Sequence, residues 1–110
     1  MRLLFEVQGV VHAPLQDVRA RLFADAGESG PHRLVDREAG VIAYWGDWWY
    51  RGEDSLHPHP EGALLVHRVY NIAPQGNWAP YLANKLFLGY RARLRTALRQ
   101  RIAQLEAPQS

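Results

Sequence analysis

Two histidines, one acid and a run of aromatic rings are the side chains of this sequence best placed to do chemistry. His57 and His59, in His57-Pro58-His59-Pro60, are spaced so that both could reach one metal, and neutral imidazole is a common ligand. Asp54 and Glu61 are the only near candidates for further donors. The interleaved prolines point instead to a stiff exposed loop, so no metal is expected there. Asp54 and Arg68 lie inside strand-like segments. If Tyr50 and Leu56 face the core, period two puts Asp54 on the same side, where a carboxylate needs a partner. Arg68 on the neighbouring strand is the expected partner, as a structural ion pair or as the polar anchor for a bound molecule. His12 and His67 read as a strand-end and a strand residue, and spacing alone assembles no Ser/His/Asp arrangement. There is no cysteine, no Gly-rich phosphate loop and no HExxH. No catalytic residue, metal or cofactor is expected.

The aromatic cluster holds Trp45, Trp48, Trp49 and Tyr50, with Tyr44 beside them and Trp78 further on. Such rings fill the core of a small domain or line a surface that takes a ligand or a second chain. Adjacent Trp48 and Trp49 must point to opposite faces of a strand, so one of them leaves the core.

These residues need elements to hold them. Residues 3–11 alternate, with Leu3, Phe5, Val7, Gly9 and Val11 on one face and Glu6 and Gln8 on the other, which is a half-buried strand. Pro14 breaks it and suits a first helical turn; Leu15, Val18 and Leu22 carry a short helix to about Ala24. Strands follow at 33–37, 41–45, 48–56 and 63–72, separated by turns at Glu38-Ala39-Gly40, Gly46-Asp47 and a loop over 57–62. That is an antiparallel meander. Leu82, Leu86, Tyr90, Leu94 and Leu98 then recur at every fourth residue, giving a long amphipathic helix over 79–105, about 40 Å at 1.5 Å per residue. Gly89 is tolerated within it, at a cost of about 1 kcal/mol.

The expected fold is α+β: about five antiparallel strands closed by the C-terminal helix, one domain over 1–107 with a tail at 108–110. Six of the thirteen Lys and Arg residues lie in that helix: Lys85, Arg91, Arg93, Arg95, Arg99 and Arg101. They scatter around the cylinder, which fits a solvated face with some dipole complementarity better than a nucleic-acid surface. A net charge of +2 is also too small to announce such a partner. Glu6 interrupts the N-terminal apolar run before it reaches signal-peptide length, and no segment approaches the roughly 18–20 apolar residues of a membrane span. A cytoplasmic protein without integral membrane association is expected.

Three stretches resemble one known group. Val10-Val11-His12-Ala13-Pro14-Leu15-Gln16-Asp17-Val18 is similar to the strand-to-helix opening of the helix-grip domains, the START-like, polyketide cyclase-like (SRPBCC) superfamily. Trp45-Gly46-Asp47-Trp48 with Tyr50-Arg51-Gly52 resembles its tryptophan-rich central strand, and Pro60-Glu61-Gly62 its acidic-glycine hairpin. The resemblance covers nearly the whole chain, with fewer elements than usual: one helix after the first strand rather than two, and about four further strands rather than six. It implies a cavity that is small, open at one side or completed by a second chain, and it carries over no catalytic residue. The expected function is a module holding a hydrophobic or aromatic small molecule between sheet and C-terminal helix. Trp45, Trp48, Tyr50, Tyr70, Leu86, Tyr90 and Leu94 are the expected lining, with Arg68 as anchor. The alternatives are a polyketide cyclase or dehydratase-like enzyme and a homodimeric interaction domain.

Overall fold

The structure, a computed structural model, describes residues 2–46, 50–71 and 89–107. Strand β1 (Arg2–Val11) leads into helix α1 (Leu15–Ala26); strands β2 (Arg33–Asp36), β3 (Val41–Trp45), β4 (Tyr50–His59) and β5 (Gly62–Asn71) follow, then helix α2 (Tyr90–Glu106). The five strands form one antiparallel sheet in the order β1-β5-β4-β3-β2. Each hairpin places consecutive strands side by side. The last of them brings β5 back beside β1.

Both helices pack on one face of the sheet. Cross-strand partners share a face, so the register puts Val7, Gly9 and Val11 of β1 with His67, Leu65 and Ala63 of β5. Asp54 and Leu56 of β4 and Ile42 and Tyr44 of β3 join them. Val18, Leu22 and Phe23 of α1 and Leu98 and Leu105 of α2 complete a single buried cluster with this face. Each such side chain contributes roughly 1.5–3 kcal/mol when fully buried. A Cβ on Gly9 would collide with the Ile102 side chain, so the missing side chain is what lets α2 lie close to β1.

Two expectations are corrected here. Gly89 has φ +76°, in the left-handed region, and α2 begins only after it. A helix running straight through 79–105 is therefore not what forms; residues 79–88 lie outside the described residues. The 17 residues of α2 span about 25 Å, no longer than the ten-residue strands it covers. The second correction concerns 57–62. Strand β4 runs on through Pro58 to His59, and only Pro60 and Glu61 make the turn. Pro58 pairs with Ala63 beyond Ser55, the last β4 residue to face β3, so its missing N–H interrupts no central ladder.

The far end of α2 is fastened to the end of β1. The Glu106 carboxylate accepts a hydrogen bond from the His12 backbone N–H at 2.7 Å and lies 3.1 Å from the His12 ring nitrogen. These bonds hold the Glu106 carboxyl below the usual glutamate range. A depressed pKa stabilises the fold at neutral pH, and the contribution is lost as pH falls through the folded value. Glu106→Gln should therefore flatten the acid limb of a plot of urea midpoint against pH. The expected change is a few tenths of a kcal/mol, since the pair is solvent-exposed.

Candidate functional site

A cleft of about 370 Å³ lies between the helix-bearing face of the sheet and α2. Its apolar wall is Leu65 of β5 with Leu94, Ala97 and Leu98 of α2; Tyr44, Tyr50, Asp54, His67 and Arg101 supply the polar groups. Two hollows elsewhere are larger, but Glu6, Gln8, Arg95 and Arg99 line one and Asp17, Arg21 and Glu106 the other. Those rims are charged surface. Of these three, the smaller cleft joins apolar walls to half-buried polar groups, the usual character of a small-molecule site.

The β4–β5 hairpin builds its centre. Asp54 and His67 are direct cross-strand partners, and His67 Nδ1 lies 2.6 Å from Asp54 Oδ1. An ionised carboxylate only accepts, so Nδ1 carries the proton and donates it, and in the neutral ring Nε2 is then the accepting nitrogen. The His67 and Asp54 side chains are only 12% and 24% exposed. The Tyr44 ring stacks against the imidazole at 6.3 Å between centroids, and the Tyr50 ring stands 6.2 Å from that of Tyr44. Burial raises the pKa of both phenols, with the nearby Asp54 charge adding to it; Tyr50 is pushed up to about 12 and Tyr44 further. Both remain neutral hydrogen-bonding groups through the physiological range. Arg101, bridged to Asp25 of α1 at 3.5 Å, also borders a smaller adjoining hollow lined by Leu22, Arg33, Ile42, Tyr44 and Asp54.

No family model, curated protein or solved structure matches the chain. Architecture alone assigns no activity, so function has to be argued from the groups in the cleft.

Of the residues expected to line a site, Tyr50 and Leu94 meet in the cleft. Tyr90 packs on Phe5 at 5.1 Å between ring centroids and is close enough to Tyr50 for its charge to affect that phenol. Trp45, Arg68 and Tyr70 lie on the other face of the sheet, because each is one residue out of phase with Tyr44, His67 and Val69. There Arg68 Nε donates to Glu6 Oε1 at 2.6 Å, and Arg51 stacks over Trp45 at 5.7 Å. The expected pairing of Asp54 with Arg68 is thus replaced by Asp54 with His67. Trp48 and Leu86 lie outside the described residues, as does Trp49. His57 and His59 do share a face, but His57 Nε2 is 3.0 Å from Ser55 Oγ and His59 Nδ1 accepts from the Glu61 N–H. Among the described residues no three acids and histidines are grouped to hold a metal, and no helix is long and apolar enough to cross a membrane.

Tyr44, His67, Leu65, Ala97, Leu98 and Arg101 were not singled out as lining from the sequence. For His67 the signal was available: counting six residues outward from each side of the Pro60-Glu61 turn lands on Asp54 and His67.

Proposed function

We propose that this protein is a binding module for an apolar or aromatic small molecule, held between the sheet and α2. The observation that carries the reading is the division of one cleft into an apolar wall, from Leu65, Leu94, Ala97 and Leu98, and a polar side, from Tyr44, Tyr50, Asp54 and His67. The apolar wall supplies affinity through burial, and the few polar groups fix orientation. Its volume of about 370 Å³ suits a molecule of two or three fused rings rather than a long chain. The resemblance to helix-grip domains supports the same placement. The polar anchor in this reading is the Asp54–His67 pair with its tyrosines, in place of Arg68.

Ala97 offers a direct test, because it is exposed on α2 yet lines the cleft. Ala97→Trp fills the space without disturbing the buried cluster. Titration calorimetry with 2-naphthol should give saturable binding to the wild-type protein and at least tenfold weaker binding to the variant, about 1.4 kcal/mol. Equal binding by both proteins, or none by the wild type, would sink the reading.

A further inference from the structure

We propose that the cleft also transfers protons on an enolisable carbonyl compound, with His67 as the base and the Tyr44–Tyr50 hydroxyls holding the carbonyl oxygen. This rests on the binding reading above and gives it a chemistry. Three features of the cleft converge on it. The first is a base with a fixed tautomer. Asp54 Oδ1 accepts a hydrogen bond from His67 Nδ1 at 2.6 Å, and among the described residues no other hydrogen bond is made to the ring. Histidine is the side chain that exchanges protons most readily near neutral pH, and a carboxylate behind it stabilises the imidazolium that forms.

The second feature is a pair of neutral donors beside the base. Tyr44 lies against the His67 ring and Tyr50 against Tyr44, all three lining one cleft. A pure apolar binder has no need of four polar side chains packed in contact on one wall, and each costs free energy to desolvate. The third is the wall opposite. Leu94, Ala97 and Leu98 turn apolar surface toward the space that the tyrosines and the histidine share, and a less polar surrounding strengthens hydrogen bonds to developing charge.

The step balances without a co-reactant. His67 Nε2 takes the proton from the carbon next to the carbonyl, and the C–H electron pair becomes a carbon–carbon double bond. The carbonyl π pair moves onto oxygen, where the tyrosine hydroxyls hold it as an enolate. His67 then returns the proton to the same carbon, or to a conjugated one, and the site is restored. The first course exchanges the proton, and the second shifts a double bond. Asp54 is a positioning residue: it acts through His67 and takes no proton from the substrate.

The test uses 2-tetralone, an aromatic ketone small enough for the cleft, in D2O with the full chain. Proton NMR follows deuterium entering the carbon next to the carbonyl, and saturation-transfer NMR on the same samples reports binding. The wild-type protein should bind the ketone and exchange it well above the buffer rate. His67→Gln should bind it yet lose a hundredfold or more of the protein-dependent rate, in the range of general acid–base effects. Asp54→Asn should lower the maximal rate by a larger factor than it raises the half-saturating concentration. Binding without faster exchange, or full exchange by folded His67→Gln, overturns the proton-transfer proposal and leaves the binding module standing. Failure of the wild type to bind at all overturns both. If His67→Gln does not fold by circular dichroism, Tyr50→Phe decides, because an unchanged exchange rate there removes the donor half of the proposal.

Discussion

Gly62→Ala should be among the most damaging single substitutions in this chain, lowering stability by roughly 3 kcal/mol. Gly62 follows the Pro60-Glu61 turn with φ +142°, a conformation that side-chain-bearing residues rarely adopt. A Cβ there would sit 2.6 Å from the Ala13 carbonyl oxygen and 2.9 Å from the Ala13 nitrogen, and closer still to the Val11 carbonyl oxygen. All three are backbone atoms of the link between β1 and α1, already tied by the Ala13 N–H to Val11 carbonyl bond at 3.0 Å. They cannot swing aside as a side chain would. Relief requires moving the entry of α1, and with it the buried Val18, Leu22 and Phe23. Overpacking of this kind costs roughly 1–3 kcal/mol, and the positive φ adds about 1. Urea unfolding followed by circular dichroism measures the change; a loss below 1 kcal/mol would show that the corner is softer than its contacts imply.

The same corner explains what the sequence made legible and what it hid. Alternation over residues 3–11 is a strong signal because Val7 and Val11 on one face of β1 are buried while Glu6 and Gln8 on the other are exposed. Period two then states the burial directly. The antiparallel sheet, the short helix after β1 and the C-terminal helix on the sheet all followed from such patterns. The two failures have a common origin, in residues read by type rather than by position. Two prolines near a glycine read as a six-residue loop, although Pro58 sits where β3 has already ended and costs no ladder bond. Gly89 read as a weak point within a helix, whereas its left-handed backbone starts one.

The misplaced loop also displaced the site. With the hairpin turn read as six residues, the partner of Asp54 has no fixed register, and Arg68 is preferred for its charge. With a two-residue turn, Asp54 falls opposite His67, and Arg68 moves to the other face between Glu6 and Glu53. Which strand face is covered by α2 was likewise not stated by composition. Trp45 and Tyr70 are as apolar as Tyr44 and Tyr50, and only the phase of the strands separates them. Arg101 is one of several basic residues scattered around the helix, and nothing in the sequence links it to Asp25 of α1. That contact is tertiary and appears only once both helices share a face.

Gly52→Val should weaken binding in the cleft at least tenfold while costing the fold only about 1–2 kcal/mol. Gly52 is buried on the same face as the cleft, directly opposite Tyr44 in the neighbouring strand. A Cβ at this position would lie 2.7 Å from the Tyr50 hydroxyl and 2.8 Å from Tyr44 Cε2. The bare backbone is thus the floor on which both rings lie. Unlike the neighbours of Gly62, these are the ends of side chains, which can lift away at modest cost. Valine also suits a strand. Lifting the rings separates the hydroxyls from each other and from His67, so 2-naphthol affinity should fall at least tenfold, about 1.4 kcal/mol. A second readout tells this from general loosening. Burial holds Tyr50 up to about 12 and Tyr44 higher, so both tyrosines stabilise the fold fully below their ordinary pKa near 10. That stabilisation is lost as pH rises toward the folded values, because the unfolded chain releases its phenolic protons first. In Gly52→Val the rings meet water, their pKa values fall back toward the ordinary one, and the alkaline loss of stability should shrink. Phenolate absorbance and urea midpoints between pH 8 and pH 11 would register both changes. Unaltered tyrosine titration in the variant would mean the rings do not rest on Gly52.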